Sequence, residues 1–441
     1  MHRLIPRGSA RMLFERTTGL AAACLAVGAG SIILAAGCSK GGEDAGSASG
    51  APKPVQQALE GPARPALLLA QAWFWTDDEG KPKPGPARLD IWRDGPNGWQ
   101  YTRLEDDSSN VFHKAIQIDD GILTIGAQDA QLKKWTFEDG TWKADTLWKR
   151  SWGGRFDRLR DIEIGDVDHD GVNELVLATH DAGVVAVAEL TAGGGEVTVI
   201  EMDEKADTFI HEIEIGDLEG DGKLEFFATP SDRNRANASQ AGGVVMYRWN
   251  GTRYVRTWIE KQEGTHSKEI LAHDMDGDGK SELFAVLEAE VDPNDKTKLI
   301  RPVEIRQYTL RPDGSFSHRT IATIDDRLTR FLVPGDFDGD GNDELVAASF
   351  KRGLFHITPP TGGVNTDARW TSKLIDPNSS GFEHAIYATD LDGDGTIELY
   401  VASDDQRELR RYDFSGGAFK KTVLGKLDRD VLTWNITTGR L

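Results

Sequence analysis

Five acidic ten-residue segments recur along the chain, and their side chains could bind metal ions. They are DVDHDGVNEL from Asp166, DLEGDGKLEF from Asp217, DMDGDGKSEL from Asp274, DFDGDGNDEL from Asp336 and DLDGDGTIEL from Asp390. Each segment has acids at positions 1, 3, 5 and 9 and glycine at position 6. Alternate acids in a tight loop converge on one point, and a hard cation that prefers oxygen ligands cancels their repulsion. The pattern predicts five metal loops, with calcium as the expected cation.

The four acids of every loop are the predicted calcium ligands. They are Asp166, Asp168, Asp170, Glu174, Asp217, Glu219, Asp221, Glu225, Asp274, Asp276, Asp278, Glu282, Asp336, Asp338, Asp340, Glu344, Asp390, Asp392, Asp394 and Glu398. Successive loops start 51, 57, 62 and 54 residues apart, a spacing typical of repeat architectures. We therefore expect about five structural calcium ions, one in each repeat.

The sequence around the loops distinguishes between loop architectures. An EF-hand needs flanking helices and a glutamate at position 12, but no loop has an acid there. β-rich segments bracket the loops instead, such as RDIEIG and LVLATH around the first. With these strands and the acid at position 9, the loops closely resemble the FG-GAP or VCBS-type repeats of integrin-like β-propellers. The resemblance implies an all-β propeller, although integrins more often have aspartate at position 9.

Hairpin signals predict the number of blades. Five hairpins follow the metal loops, and two more, without such a loop, begin at Ile91 and Trp135. Seven hairpins predict a seven-bladed β-propeller over residues 65–441, with calcium-binding loops in five blades. The closing segment from Asp430 to Leu441 alternates like a strand, and we expect it to complete the ring within a terminal blade.

The face opposite the metal loops is the predicted ligand site. If strands A to D run outwards from the axis, the metal loop joins A to B, and the D-to-A connections lie on the other face. The residues at the start of the A strands suit an anionic or sugar-like ligand, and we expect them to be surface residues around the channel mouth. The ligand-binding candidates are His113, Arg160, His211, His266, Arg330 and His384. Two long B-to-C loops, Asp232 to Gly242 and Glu288 to Pro302, are the alternative site.

The N-terminal region has the features of an export signal. Arginines precede an uncharged run from Gly19 to Gly37, and the segment LAAGC resembles the lipobox of bacterial lipoproteins. This resemblance implies lipidation of Cys38 after cleavage, with residues 1–38 as signal peptide and lipobox and residues 39–64 as a flexible linker. Met1 and Met12 are both possible starts. An ordinary signal peptide and an uncleaved membrane anchor are the alternatives. We expect a lipid-anchored protein of the cell envelope, at the outer membrane or cell surface.

Charge and motifs limit the function classes. The net charge of −21 argues against nucleic-acid binding, because no basic stripe is available for phosphates. No nucleophile elbow, zinc motif or phosphate loop occurs. A binding module for a carbohydrate or protein partner is therefore the first expectation. The alternative is a carbohydrate-active enzyme, such as a polysaccharide lyase, that uses histidine and arginine at the channel mouth.

Overall fold

The computed structural model describes residues 53–152, 157–180, 183–189, 198–203, 208–233 and 238–441, with the backbone alone for 198–203. The predicted signal peptide, Cys38 and residues 39–52 of the predicted linker lie outside the described residues. In the described part of the chain all the regular structure is β-strand. No helix there is long and apolar enough to cross a membrane.

The strands are numbered in chain order. The first are β1 (Pro65–Thr76), β2 (Pro82–Pro84), β3 (Ala87–Arg93), β4 (Gln100–Asp106), β5 (Phe112–Ile118), β6 (Gly121–Gly126), β7 (Ala130–Glu138) and β8 (Thr141–Arg150). Next come β9 (Leu159–Gly165), β10 (Glu174–Thr179), β11 (Val185–Glu189), β12 (Thr198–Asp203), β13 (Thr208–Gly216), β14 (Glu225–Asp232), β15 (Gly242–Trp249) and β16 (Tyr254–Gln262). They are followed by β17 (Ser267–His273), β18 (Glu282–Leu287), β19 (Glu290–Val291), β20 (Leu299–Arg301), β21 (Val303–Leu310), β22 (Phe316–Ile324), β23 (Thr329–Gly335) and β24 (Glu344–Ser349). The last are β25 (Leu354–Thr358), β26 (Thr371–Asp376), β27 (Ile386–Thr389), β28 (Glu398–Ser403), β29 (Glu408–Phe414), β30 (Phe419–Lys426) and β31 (Val431–Arg440).

These strands form seven antiparallel blades, which confirms the predicted seven-bladed propeller. From the axis outwards, blade 1 is β31-β1-β3-β4, blade 2 is β5 to β8, blade 3 is β9 to β12 and blade 4 is β13 to β16. Blade 5 is β17-β18-β21-β22, blade 6 is β23 to β26 and blade 7 is β27 to β30. Two short additions, β2 on β1 and the β19-β20 pair, lie outside the four-stranded pattern.

The two ends of the described chain close the ring. Strand β31 pairs antiparallel with β1, so the last strand of the chain is the innermost strand of the first blade. The backbones of Arg64 and Leu441 also exchange two hydrogen bonds. The predicted closing role of the C-terminal segment is therefore confirmed, and it stabilises the ring because blade 1 cannot separate without losing a whole strand pair.

Apolar packing between the blades forms the core. The B strands β10, β18, β24 and β28 are buried at every residue, because both of their faces lie against a neighbouring blade. An apolar cluster fills each of the seven interfaces, including the one between blades 7 and 1. At roughly 25 cal/mol for each Å² of apolar surface buried, these layers are the main source of stability. They also give the blades the rigidity that fixes the loops on both faces.

Candidate functional site

The five metal loops share one hydrogen-bonded frame. In each loop the glutamate at position 9 opens a B strand, and its carboxylate accepts the backbone N–H of position 2; the pairs are Glu174 with Val167, Glu225 with Leu218, Glu282 with Met275, Glu344 with Phe337 and Glu398 with Leu391. The aspartate at position 1 accepts the N–H groups of positions 5 and 6. Glycine at position 6 has a positive φ of 78° to 91°, a conformation that a residue with a side chain rarely adopts. These hydrogen bonds and the glycine conformation therefore fix the shape of each loop.

In four of the loops the carboxylate groups converge as a cation site requires. One oxygen from each of the four acids in the loops at Asp166, Asp336 and Asp390 lies within 4.8 Å of the others. In the loop at Asp274, three acids converge in the same way. A set of hard oxygen donors with a buried glutamate fits calcium. The four loops would bind the ion through these carboxylates, and the bound charge would relieve the repulsion among them.

Removing one ligand from such a loop should weaken the fold in a calcium-dependent way. For Asp336→Asn we expect a melting temperature several degrees below the wild type with calcium present, because the loop loses the position-1 ligand that it needs to hold the ion. Differential scanning calorimetry in calcium and in chelator measures this. Asp313→Asn is the control, since Asp313 accepts hydrogen bonds from Ser315 in an exposed turn outside any metal loop. An equal loss in both buffers for Asp336→Asn would contradict a metal role.

On the opposite face, β-bulges set the geometry of the channel. Six of the seven innermost strands, β5, β9, β13, β17, β23 and β31, have a register shift near their D-to-A end. The extra residues are His113 in β5, Arg160 in β9, His211 with Glu212 in β13, Lys268 in β17, Arg330 in β23 and Trp434 in β31. Bulges re-aim side chains and are common beside functional sites. Here the same irregularity recurs around the axis, and it brings side chains of different blades into contact.

The bulge residues and their neighbours form a charged network that joins several blades, which we call the channel cluster. Its members are Arg158, Arg160, His180, His211, Glu212, His266, Lys268, Glu288, Arg327, Arg330 and Glu383. Arg160 of blade 3 lies 2.8 Å from Glu212 of blade 4 and 3.9 Å from Glu383 of blade 7. Glu383 also pairs with Arg330 of blade 6 at 2.5 Å.

Lys268 lies at the meeting point of the histidines and the long B-to-C loop of blade 5. Its Nζ is 3.1 Å from His211 Nδ1 and 3.8 Å from a carboxylate oxygen of Glu288. The rings of His180 and His266 flank His211, with centroids 5.4 and 5.1 Å away. Glu288 is the first residue of the loop Glu288 to Pro302, which was predicted as an alternative site. This loop therefore contacts the channel cluster through Glu288.

The channel cluster is buried, which differs from the expected exposed rim. Lys268 is 2% exposed, and His211 and Glu383 are each 1% exposed. The bulges turn these side chains inward, so substitutions there will affect packing as well as ligand contacts. Several buried polar atoms have no hydrogen-bond partner within the described ranges, namely His266 Nδ1, Arg330 Nε and Glu383 Oε2. Leaving such a group unpaired costs about 1 to 3 kcal/mol, so the cluster has unused donors and acceptors for a ligand.

Burial and the neighbouring cations set the protonation states. Burial lowers the pKa of Lys268 to about 7, and the nearby Arg330 and Arg160 add to this. Burial also lowers the pKa of His266 to about 3, and burial with Lys268 holds the pKa of His211 well below its usual value. Burial alone would raise the pKa of Glu288, but Lys268, His266 and Arg330 reverse this and lower it. His211 and His266 are therefore neutral, and Lys268 changes charge near neutral pH.

The charge in the channel differs between its two ends. The channel cluster contains five cationic side chains and three carboxyl groups, and burial raises the pKa of one of these, Glu212, well above its usual value. Further along the A strands, Lys114 is surrounded by four carboxyl groups, those of Asp161, Glu163, Glu214 and Glu269, and burial raises the pKa of the three glutamates. Cationic side chains thus outnumber carboxyl groups in the channel cluster of a protein whose net charge is −21.

Two of the six predicted ligand-binding residues have contacts to a neighbouring blade, and one of them, His113, also lies near Arg158 and Arg160. His113 Nδ1 lies 2.6 Å from the carbonyl oxygen of Leu159, and its ring meets Trp434 edge to face. Both ring nitrogens of His384 have partners, at 2.7 Å from Ser349 O and Ser379 Oγ. These two histidines join neighbouring blades, whereas Arg160, His211, His266 and Arg330 come together. Sequence reasoning did not identify Trp434, because nothing in the sequence signals the bulge that places it beside Arg160.

A cavity of about 330 Å³ lies beside the channel cluster on the same face. Its wall includes Ser231, whose hydroxyl is 2.8 Å from His211 Nε2, and Gly242, which packs closely against His266. The outer wall contains Trp258, which is 38% exposed. The cavity therefore lies between an exposed aromatic ring and two residues, Ser231 and Gly242, that contact histidines of the channel cluster.

Comparison with known proteins supports the fold. Residues 274–347, which span two of the metal loops, match the FG-GAP-like repeat family. A protein from Lactobacillus plantarum matches with a TM-score of 0.54 at 11% identity, over 85% of this chain and 99% of that one. A candidate 6-phosphogluconolactonase from Bacteroides uniformis matches with a TM-score of 0.53 at 13% identity, over 85% and 99% of the two chains. No curated protein matches the chain.

At these identities the solved structures resemble the chain in fold alone. The family match covers the repeat that the loop spacing predicted, and the sheet order supplies the blade count. The chain is a seven-bladed β-propeller that carries an FG-GAP-like repeat at residues 274–347.

Proposed function

We propose that the protein is a calcium-stabilised binding module whose channel cluster takes an anionic carbohydrate. The observation that carries the proposal is the group of buried cationic side chains, Arg160 and Lys268 among them, at one end of the channel in a strongly acidic chain. Burying cations is costly, and an anionic ligand would add favourable charge pairs with Lys268 and Arg330. The unpaired Arg330 Nε and His266 Nδ1 offer hydrogen bonds for such a ligand.

The adjoining cavity favours a sugar over a small inorganic anion. Its volume of about 330 Å³ falls in the range of small-molecule sites, and its wall combines polar groups with the exposed ring of Trp258. Aromatic rings give a sugar a flat apolar surface, while serine and glutamine side chains bind its hydroxyl groups. A uronic acid has both features, a carboxylate for the cations and hydroxyls for the cavity.

A glycan array that contains neutral and uronic-acid oligosaccharides tests the proposal. We expect the wild type to bind glycans with carboxylate groups and to ignore matched neutral glycans. Binding that does not distinguish the two sets, or that is confined to neutral glycans, would overturn the proposal. Binding only to acidic proteins would indicate a protein partner and would also contradict the proposed carbohydrate ligand.

The second candidate function is a polysaccharide lyase, and Lys268 is the observation that favours it. A lyase needs a base to remove the proton next to a carboxylate and a cation to neutralise that carboxylate. With a pKa lowered by burial to about 7, Lys268 provides a neutral amine near neutral pH, and Arg330, which pairs with Glu383, still has an unpaired Nε for the carboxylate. Unsaturated products formed from uronic-acid polysaccharides would establish this activity.

The pH dependence should separate the two functions. Below pH 7 Lys268 is mainly an ammonium ion, and above pH 7 it is mainly a neutral amine. A site that only binds anions needs the ammonium ion, so we expect affinity for a uronic-acid trisaccharide to fall about tenfold between pH 6 and pH 8. A lyase needs the neutral amine, so its rate should rise over the same interval. Calorimetric titration and product absorbance measure the two quantities, and a flat affinity profile would exclude Lys268 from binding.

Export and lipidation complete the proposed function. A lipid on Cys38 would tether the propeller to the cell envelope through residues 39–64. We expect Cys38→Ala to release the protein from membranes or to block its processing, whereas Cys24→Ala, inside the apolar run, should leave both unchanged. Fractionation and intact mass measure this. Unchanged membrane association and mass for Cys38→Ala would indicate an uncleaved anchor.

A further inference from the structure

The loop of blade 4 differs from the other four metal loops. Its acids are Asp217, Glu219, Asp221 and Glu225, and within the described part of the chain no three of them converge as the acids of the other loops do. The backbone frame is the same, since Asp217 and Glu225 accept the usual N–H groups. One difference in sequence lies at position 3, where this loop alone has glutamate. Asp217, Asp221 and Glu225 do not converge either, so the arrangement of the whole acid set differs.

In this loop an arginine lies at the place where a calcium ion would otherwise balance the charge of the acids. Arg248, on strand β15 beside the loop, places Nε 2.8 Å from Glu225 and Nη2 3.3 Å from Glu219. The guanidinium group therefore joins positions 3 and 9, the two acids that would otherwise converge on a cation. A guanidinium group matches carboxylates geometrically and keeps its charge at any physiological pH.

A lysine adds to the positive charge of this loop. Lys223, within the loop, lies 3.2 Å from Asp221. The aliphatic stem of Lys280, from the neighbouring loop, crosses Gly220 so closely that a β-carbon there would come within 2.8 Å of it. The four acids of blade 4 thus face two cations of the protein, Arg248 and Lys223. These two charges reduce the attraction of the loop for a divalent ion.

Blade 7 shows that an arginine alone does not exclude a cation site. Arg411 contacts Asp392 at 2.8 Å and Glu398 at 3.2 Å, yet the four acids of that loop still converge. Position 3 in this loop is aspartate, which contacts Arg411 and still places a carboxylate oxygen near those of the other acids. Arg411 is also shared with Asp413. The combination of glutamate at position 3 with Arg248 is therefore what sets blade 4 apart.

We infer that the loop of blade 4 binds no calcium and that Arg248 supplies its positive charge instead. The chain would then bind four calcium ions, one fewer than the five loops in the sequence predict. The inference rests on the proposed calcium role of the other four loops. It also assigns Arg248 a structural task, since its guanidinium group contacts both Glu219 and Glu225.

Counting bound ions by native mass spectrometry in calcium tests this inference. We expect four ions for the wild type and for Asp217→Asn, and three for Asp166→Asn. The double variant Glu219→Asp with Arg248→Gln should gain a fifth ion, while Arg411→Gln should keep four. Loss of one ion in Asp217→Asn would overturn the inference. If Asp166→Asn also leaves the count unchanged, the calcium role of the loops fails instead.

A thermal melt supplies a readout that does not depend on the count. Arg248→Gln should lower the melting temperature equally in calcium and in chelator, because it removes a cation that belongs to the protein. A loss of stability in calcium alone would show that Arg248 acts through a bound ion and would contradict the inference.

Discussion

Chelation of calcium should lower the melting temperature of the propeller by about 10 to 15 °C. An ion that binds only the folded state at 100 times its dissociation constant adds roughly 2.7 kcal/mol, so four ions add about 11 kcal/mol. Unfolding a domain of this size has an entropy of roughly 0.8 kcal/mol per degree, which converts that energy into the stated shift. Calorimetry of one preparation, with calcium and with chelator, measures it.

The control is the same pair of melts on a variant in which the loops at Asp166, Asp274, Asp336 and Asp390 each carry Asn at position 1. This variant should melt near the chelated wild type in both buffers. Equal melting temperatures for the wild type with and without calcium would show that the acids are satisfied without an ion, and the calcium role would be wrong.

Lys268→Met should abolish the binding of a uronic-acid trisaccharide, with affinity at least about 30-fold weaker than the wild type. Methionine fills a similar volume, and the change removes the charge that lies between His211 and Glu288. Removing one partner of a buried charge pair costs about 2 to 5 kcal/mol of binding. The melting temperature should stay within a few degrees, since burial already disfavours the ammonium ion. Calorimetric titration at pH 6 measures the affinity.

Lys114→Met is the matched control for this prediction. Lys114 is also a channel lysine, but it lies in the acidic group and pairs with Asp161 and Glu163. Its loss leaves those carboxylates without their cation, so stability should fall while trisaccharide binding at the other end persists. Wild-type affinity in Lys268→Met, or an equal loss in both variants, would exclude the channel cluster as the ligand site.

The sequence was sufficient to predict the architecture because the loops carry a fixed local pattern. Acids at alternate positions, glycine at position 6 and strands on both sides specify a loop without help from distant residues. The spacing of these loops, with seven hairpins, predicted seven blades, and the alternation after Asp430 predicted the closing strand. Such features are local, so they can be read along the chain.

The site could be predicted only in part because it depends on contacts between blades. The positions of Arg160, His211 and Arg330 follow from the blade order, and the structure brings them together. Their burial does not follow, since it results from bulges that have no sequence signal. Glu288 and Arg248 could not be identified from the sequence either. Each makes its contacts with a different element of the chain, Glu288 with Lys268 and Arg248 with the loop of blade 4.

The most direct test of the account is a crystal structure of the protein grown with calcium and a uronic-acid trisaccharide. The account predicts anomalous density for calcium in the loops at Asp166, Asp274, Asp336 and Asp390, all joining A to B strands. It also predicts a ligand carboxylate within hydrogen-bond distance of Lys268 or Arg330 on the opposite face. A trisaccharide bound through a calcium ion, or seated away from the channel cluster, would contradict the account.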